Sequence, residues 1–108
     1  MTQAVLICWI CMLLAILLEV VATLFMKYVA GFTKLLPTVM VFICYACTFP
    51  LFILALKKIP VSIAYPTWAG IGTLLIFLAG IAFYQESVSA MKIISAILII
   101  LGLIGLNL

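Results

Sequence analysis

Four apolar runs divide the chain. The first extends from Val5 to Met26 and is closed by Lys27 and the segment "AGFTK". The second, Leu35 to Leu56, is closed by "KKIP"; the third, Val61 to Tyr84, by "QES"; the fourth runs from Val88 to Leu106. Each is about 19 to 24 residues, enough to cross a hydrocarbon core of about 30 Å as a helix. The alternating ten-residue segments of a membrane β-barrel are missing. The pattern predicts one all-α domain, 1–108, with helices over 5–26, 35–56, 61–84 and 88–106. The connections are so short that each helix is expected to pack antiparallel beside the next. Pro60 suits the first turn of the third helix, where a missing N–H costs nothing.

Composition places these helices in a membrane. Hydrophobic residues make up 71% of the chain and charged residues 6%, against about 25% charged in a soluble domain. Such a chain has too little polar surface to cover a globule in water. The net charge of +3 comes from scattered lysines, which argues against nucleic acid as a partner. The first apolar run lacks a basic leader and exceeds a signal-peptide core, so no cleaved signal is expected. Neither end carries a lipidation motif. Lys27, Lys34 and Lys92 fall on one side of the four spans and Lys57 and Lys58 on the other. So even a balance gives the positive-inside rule little to act on. The reading is insertion in both orientations, which would permit an antiparallel dimer of one sequence.

Against this background Glu19 stands out. It is the only charged side chain between Ala4 and Met26. A carboxylate at the centre of an apolar helix costs roughly 2.5–3.5 kcal/mol on insertion scales. Eight residues separate it from Lys27, about 12 Å at helical rise, so it lies at membrane depth. No Arg, His or Lys within a span can pair with it. A carboxyl in low dielectric favours its protonated form and can release that proton when a cation arrives. Such a group serves as a proton relay or cation site; the alternative is a protonated structural glutamic acid bridging helices. Ala15, Ala22 and Thr23 share its helix face and are small. They leave room for a guest or for close helix packing.

Tyr65, Trp68 and Gly72 form one stripe on the third helix, and Tyr45 lies halfway along the second. Aromatic faces near a carboxylate attract organic cations, although Trp and Tyr also collect at membrane interfaces. Gly70 and Gly72 mark a candidate hinge, or a place of close packing. Pro66 removes the backbone bond to the Ser62 carbonyl nearby. On the fourth helix, Ser95 and Gly102 share a small-residue face suited to dimer contact.

The cysteines form two CxxC pairs, Cys8 with Cys11 and Cys44 with Cys47. Both lie inside apolar runs. In a hairpin turning near Gly31 the pairs differ in depth by about 10 Å, which disfavours one tetrahedral site. Neither metal nor cofactor is expected; the thiols read as small apolar packing groups.

In this order, "EVVAT", "MKY", "GF", Pro37, "ICY", "IPVSIAY" and W-x-G-x-G at Trp68, Gly70 and Gly72 resemble the small multidrug resistance family of bacterial inner-membrane transporters. The resemblance covers essentially the whole chain. It implies an antiparallel, dual-topology dimer in which both copies of one glutamate are shared by proton and substrate. That role falls on Glu19, with Tyr45, Tyr65 and Trp68 as substrate-site aromatics and the Ser95–Gly102 face joining the protomers. It further implies a carrier without covalent chemistry, hence no enzyme: a multi-pass antiporter exchanging protons for lipophilic or quaternary ammonium cations. The partner is a second copy or a paralogue in a heterodimer. Guanidinium exporters of the family typically carry Trp three residues after the glutamate, where this chain has Ala22. By contrast, "QESVSAMKI" and "LGLIGL" resemble those exporters, and Pro50 and Pro66 depart from the drug-exporting pattern. The alternatives are therefore a guanidinium or polyamine exporter of the same family, or a non-transporting structural membrane subunit.

Overall fold

The computed structural model describes residues 3–108. Four helices follow one another: α1 (Gln3–Val29), α2 (Leu35–Ala55), α3 (Val61–Tyr84) and α4 (Ala90–Asn107). All four are long and apolar enough to cross a membrane. α1 starts earlier and ends later than its apolar run, carrying Lys27 into its last turn, where a long stem can reach the interface. α4 begins at Ala90 rather than Val88 because Ser89 caps it: its hydroxyl accepts the Lys92 N–H at 3.2 Å, satisfying one of the orphan donors of the first turn. Pro50 and Pro66 both lie within continuous helices.

The α1–α2 turn passes through three consecutive residues with positive φ, Ala30, Gly31 and Phe32. It brings α2 back antiparallel to α1: Cys8 Sγ lies 3.5 Å from the Leu54 carbonyl, while Thr23 meets Tyr45 near the other end. α3 then runs parallel to α1. Glu19 faces Gly72, and the Tyr84 hydroxyl donates to the Leu24 carbonyl at 2.6 Å. Lys27 Nζ sits 4.5 Å from the centre of the Tyr84 ring, a cation–π contact that fastens this end of the pair.

The expectation that every helix packs along its successor therefore fails at one step. α1 packs against both α2 and α3, and α4 against α3, but α2 and α3 approach each other little along their backbones. They meet through side chains, chiefly Phe49 and Phe52 against Trp68. The physical reason is the small-residue surface on α3: at Gly72 no side chain stands between the two backbones, so α3 can settle on α1. The core follows from this arrangement. Cys8, Met12, Ile16 and Val20, spaced four apart on α1, join Ala55, Ile59 and Ala64 around the α2–α3 turn.

α4 contributes no buried residue. It packs chiefly on α3, where Leu103 fills the space beside Gly70: a Cβ on that glycine would stand 2.8 Å from Leu103 Cδ1. The remaining apolar surface of α4, including Leu98, Leu101 and Ile104, is open.

Candidate functional site around Glu19

Glu19 is half-buried on α1, facing α3. One helical turn later, the Thr23 hydroxyl donates to Glu19 Oε1 at 3.0 Å. The same hydroxyl oxygen lies 2.7 Å from Tyr45 OH on α2. A hydroxyl has one hydrogen. If Thr23 spends it on the carboxylate, Tyr45 must donate to Thr23. The three groups then form a directed string, Tyr45 to Thr23 to Glu19, aimed at the acid. Hydrogen bonds in such a string polarise one another where the dielectric is low.

The other carboxylate oxygen points at α3. A Cβ built on Gly72 would be 2.9 Å from Glu19 Oε2, so the absence of a side chain there is what gives the carboxylate its place. Beside it is a cavity of about 160 Å³ lined by Glu19, Trp68, Ala69, Thr73 and Ile76. Trp68 heads an aromatic cluster. Its ring centre is 5.2 Å from Phe52, 5.8 Å from Tyr65 and 6.3 Å from Phe49, and Phe49 in turn stacks on Tyr45 at 6.5 Å. Rings therefore run without a break from Tyr65 on α3 to Tyr45 on α2. Among the described residues, the two buried side-chain polar atoms without a partner are Thr67 Oγ1 and Trp68 Nε1. They are neighbours in sequence, and Trp68 walls the cavity. Native interiors leave few such groups unmet.

The structure thus brings Glu19, Thr23, Tyr45 and Trp68 together, with Tyr65 one ring further out and half exposed. Ala15 is fully buried and is not in the cavity wall; like Ala22 it is a packing residue of α1. Gly70 and Gly72 each admit a neighbouring side chain, Leu103 and Glu19 respectively. Ser95 and Gly102 do not line the Glu19 cavity; Ser95 borders a separate space between α3 and α4. The Ser95 hydroxyl is spent on the Met91 carbonyl at 2.8 Å, and nothing lies within 4 Å of a Cβ added to Gly102. All four thiols are free, and among the described residues no cluster of three or more His, Cys, Asp or Glu comes together to hold a metal.

Phe49, Phe52, Thr73 and Ile76 were not legible as site residues from sequence. The two phenylalanines follow Tyr45 at i+4 and i+7, one face of α2, which is the signal that marks them.

The chain is similar to known proteins over most of its length. The model of the family described as Small Multidrug Resistance protein matches residues 7–99. The uncharacterized membrane protein YvaE of Bacillus subtilis is 47% identical over 100 residues, covering 93% of this chain and 84% of that protein. The guanidinium exporter of Escherichia coli K12 is 40% identical over 100 residues, 93% of this chain and 95% of its own. The multidrug resistance protein mmr of Mycobacterium leprae is 42% identical over 95 residues, 87% and 89% of the two chains. A four-span membrane protein with this match belongs to the small multidrug resistance family, whose members move small molecules out across a membrane.

Proposed function

We propose that the protein is a proton-coupled antiporter of the bacterial inner membrane that exports lipophilic or quaternary ammonium cations as a dimer. The observation that carries this reading is the setting of Glu19: a carboxylate at membrane depth, hydrogen-bonded on one oxygen, with its other oxygen beside a cavity walled by Trp68. Proton and cation compete for that carboxylate, because each neutralises the charge that low dielectric penalises. A cation entering from the cytoplasm displaces the proton; a proton from outside displaces the cation.

A single protomer leaves the apolar flank of α4 uncovered, and four helices enclose no pathway. A second copy docked through the Ser95–Gly102 face, in the opposite orientation, supplies the missing wall and a second Glu19. Identical subunits exchanging conformations would make the inward-open and outward-open states equal in energy. Rocking of one bundle against the other then gives alternating access, with flexing at Gly70 and Gly72.

A guanidinium exporter is the second reading, and one observation favours it. The cavity beside Glu19, about 160 Å³, is small for a bulky aromatic cation and ample for a planar ion of four heavy atoms. Vesicles reconstituted with the protein and given an outward-directed cation load separate the two. The first reading predicts that an inward proton gradient drives out tetraphenylphosphonium and that Glu19→Gln abolishes this. Movement of guanidinium alone, with the bulky ion ignored, selects the second. If neither ion responds to the gradient, both are wrong and a structural membrane subunit is left.

A further inference from the structure

We propose that the cleft between the start of α1 and the end of α2 binds one anionic diacyl phospholipid, its phosphate held by Lys57 and Lys58. The cleft, about 230 Å³, is lined by Ala4, Ile7, Cys8 and Cys11 on α1, by Leu54 on α2, and by the two lysines of the turn that follows. Charge and apolar wall are separated along it. α2 has 21 residues, about 31 Å at helical rise, which matches the thickness of the hydrocarbon core. Lys57 and Lys58 come just past its end, at headgroup level. Cys8 Sγ meets the Leu54 carbonyl, so the lysines are level with the first turn of α1, near Ala4. From Ala4 down to Cys11 the α1 wall descends two helical turns, about 10 Å, without a charged side chain.

The two ammonium groups are uncommitted. Lys27 lies over the Tyr84 ring and Lys92 donates to the Ser87 carbonyl. Among the described residues, the side chains of Lys57 and Lys58 have no such partner and are exposed. Their backbone N–H groups donate to the Leu54 and Ala55 carbonyls at 3.2 and 3.4 Å, which fixes where both stems leave the turn. Neither acidic side chain of the sequence is near: Glu19 lies about two turns beyond Cys11 along α1, and Glu86 follows the far end of α3. Two unpaired positive charges therefore stand above an apolar slot whose walls, Ile7 and Leu54, are exposed. Basic pockets between spans attract anionic headgroups. A free phosphate ion would satisfy the lysines and leave the slot empty. A zwitterionic lipid would fill the slot and bring its own cation against the lysines. An anionic phospholipid meets both demands, and clasps α1 to α2 where the Cys8 thiol, a weak donor, joins them. The α4 face given to a second protomer contributes nothing to this wall, so that contact does not compete for the cleft.

The test is native mass spectrometry of the full-length protein in a non-ionic detergent, titrated with phosphatidylglycerol or with phosphatidylcholine of the same chains. For the first lipid bound, the parent should prefer phosphatidylglycerol about twenty-five-fold, from about fivefold for each lysine. Lys57→Gln/Lys58→Gln should lose the preference and Lys57→Arg/Lys58→Arg should keep it. Ala4→Trp, at an exposed position, narrows the slot and leaves both charges; it should weaken both lipids. Equal affinity of the parent for the two lipids, or a preference that survives in the Gln variant, overturns the proposal. Parent-like binding by Ala4→Trp also overturns it, since the lysines would then collect lipid at the surface without the cleft. So does displacement of the lipid by an equal concentration of glycerol phosphate, which would make this a site for free anions. None of these outcomes bears on what Glu19 binds.

Discussion

Gly72 on α3 and Glu19 on α1 are fitted to each other: a methyl group on the glycine would stand 2.9 Å from Glu19 Oε2. The carboxylate is the far end of a flexible side chain, so Gly72→Ala moves the acid and leaves the helix in place. Alanine even adds up to about 1 kcal/mol of helix propensity. The expected result is a folded protein whose cation affinity is about tenfold weaker, about 1.4 kcal/mol. Isothermal titration alongside thermal unfolding separates the two effects. Parent-like affinity would show that the close approach carries no function.

Thr23 joins two helices through one hydroxyl. Thr23→Val removes its bonds to Glu19 and to Tyr45 together. It leaves Tyr45 OH unmet at a cost of about 1–3 kcal/mol. Removing the phenol hydroxyl as well, in Thr23→Val/Tyr45→Phe, should cost less than the sum of the single changes, because the orphaned group is gone. A double-mutant cycle on cation affinity measures this. Strict additivity would mean the string does not act as a unit.

What could be read from the sequence divides along physical lines. Glu19, Tyr45 and Trp68 are legible because a charge or a polar aromatic ring stands out in an apolar run. Phe49 and Phe52 are not, since a phenylalanine bound for the site looks like one bound for lipid. Gly72 reads as a hinge or a packing point, and the structure gives it a specific neighbour, the carboxylate. The separation of α2 from α3 was hidden for a different reason. These helices are apolar on every side, so hydropathy does not mark the inner face. The number of spans, by contrast, can be read from hydropathy, although α1 runs past its apolar stretch at both ends.

Trp68 is a wall of the cavity and the hub of three ring contacts. Trp68→Ala removes all of them and should destabilise the protein by about 3–5 kcal/mol, the usual cost of deleting a large packed aromatic. Trp68→Phe keeps a ring and discards the unmet Nε1 donor. It should fold as stably as the parent and bind aromatic cations more weakly, as indole is the strongest cation–π partner. Denaturation in mixed micelles and cation titration test the pair.

Gly102 has nothing within 4 Å of its missing Cβ. Gly102→Leu should therefore leave the protomer fold unchanged. If the Ser95–Gly102 face joins two protomers, the same change should weaken the dimer at least tenfold, about 1.4 kcal/mol or more, by holding the backbones apart. Sedimentation equilibrium in density-matched detergent gives the answer. An unaltered dimer would place the interface elsewhere.

Met12 is fully buried on the α1 stripe, two helical turns before the acid and outside the wall of its cavity. Met12→Ala should cost about 2–5 kcal/mol of stability by leaving a cavity. Surviving protein should keep its cation affinity, so thermal melts and binding measured on one sample are expected to part company.

The central claim is that Glu19 exchanges a proton for a cation, and proton release reads this directly. Protein in weakly buffered detergent solution near neutral pH receives tetraphenylphosphonium or guanidinium while pH is recorded. Saturating cation should release protons in proportion to the protein present, and Glu19→Gln should release none. Equal release from both proteins, or binding by the parent with no proton set free, would contradict the account.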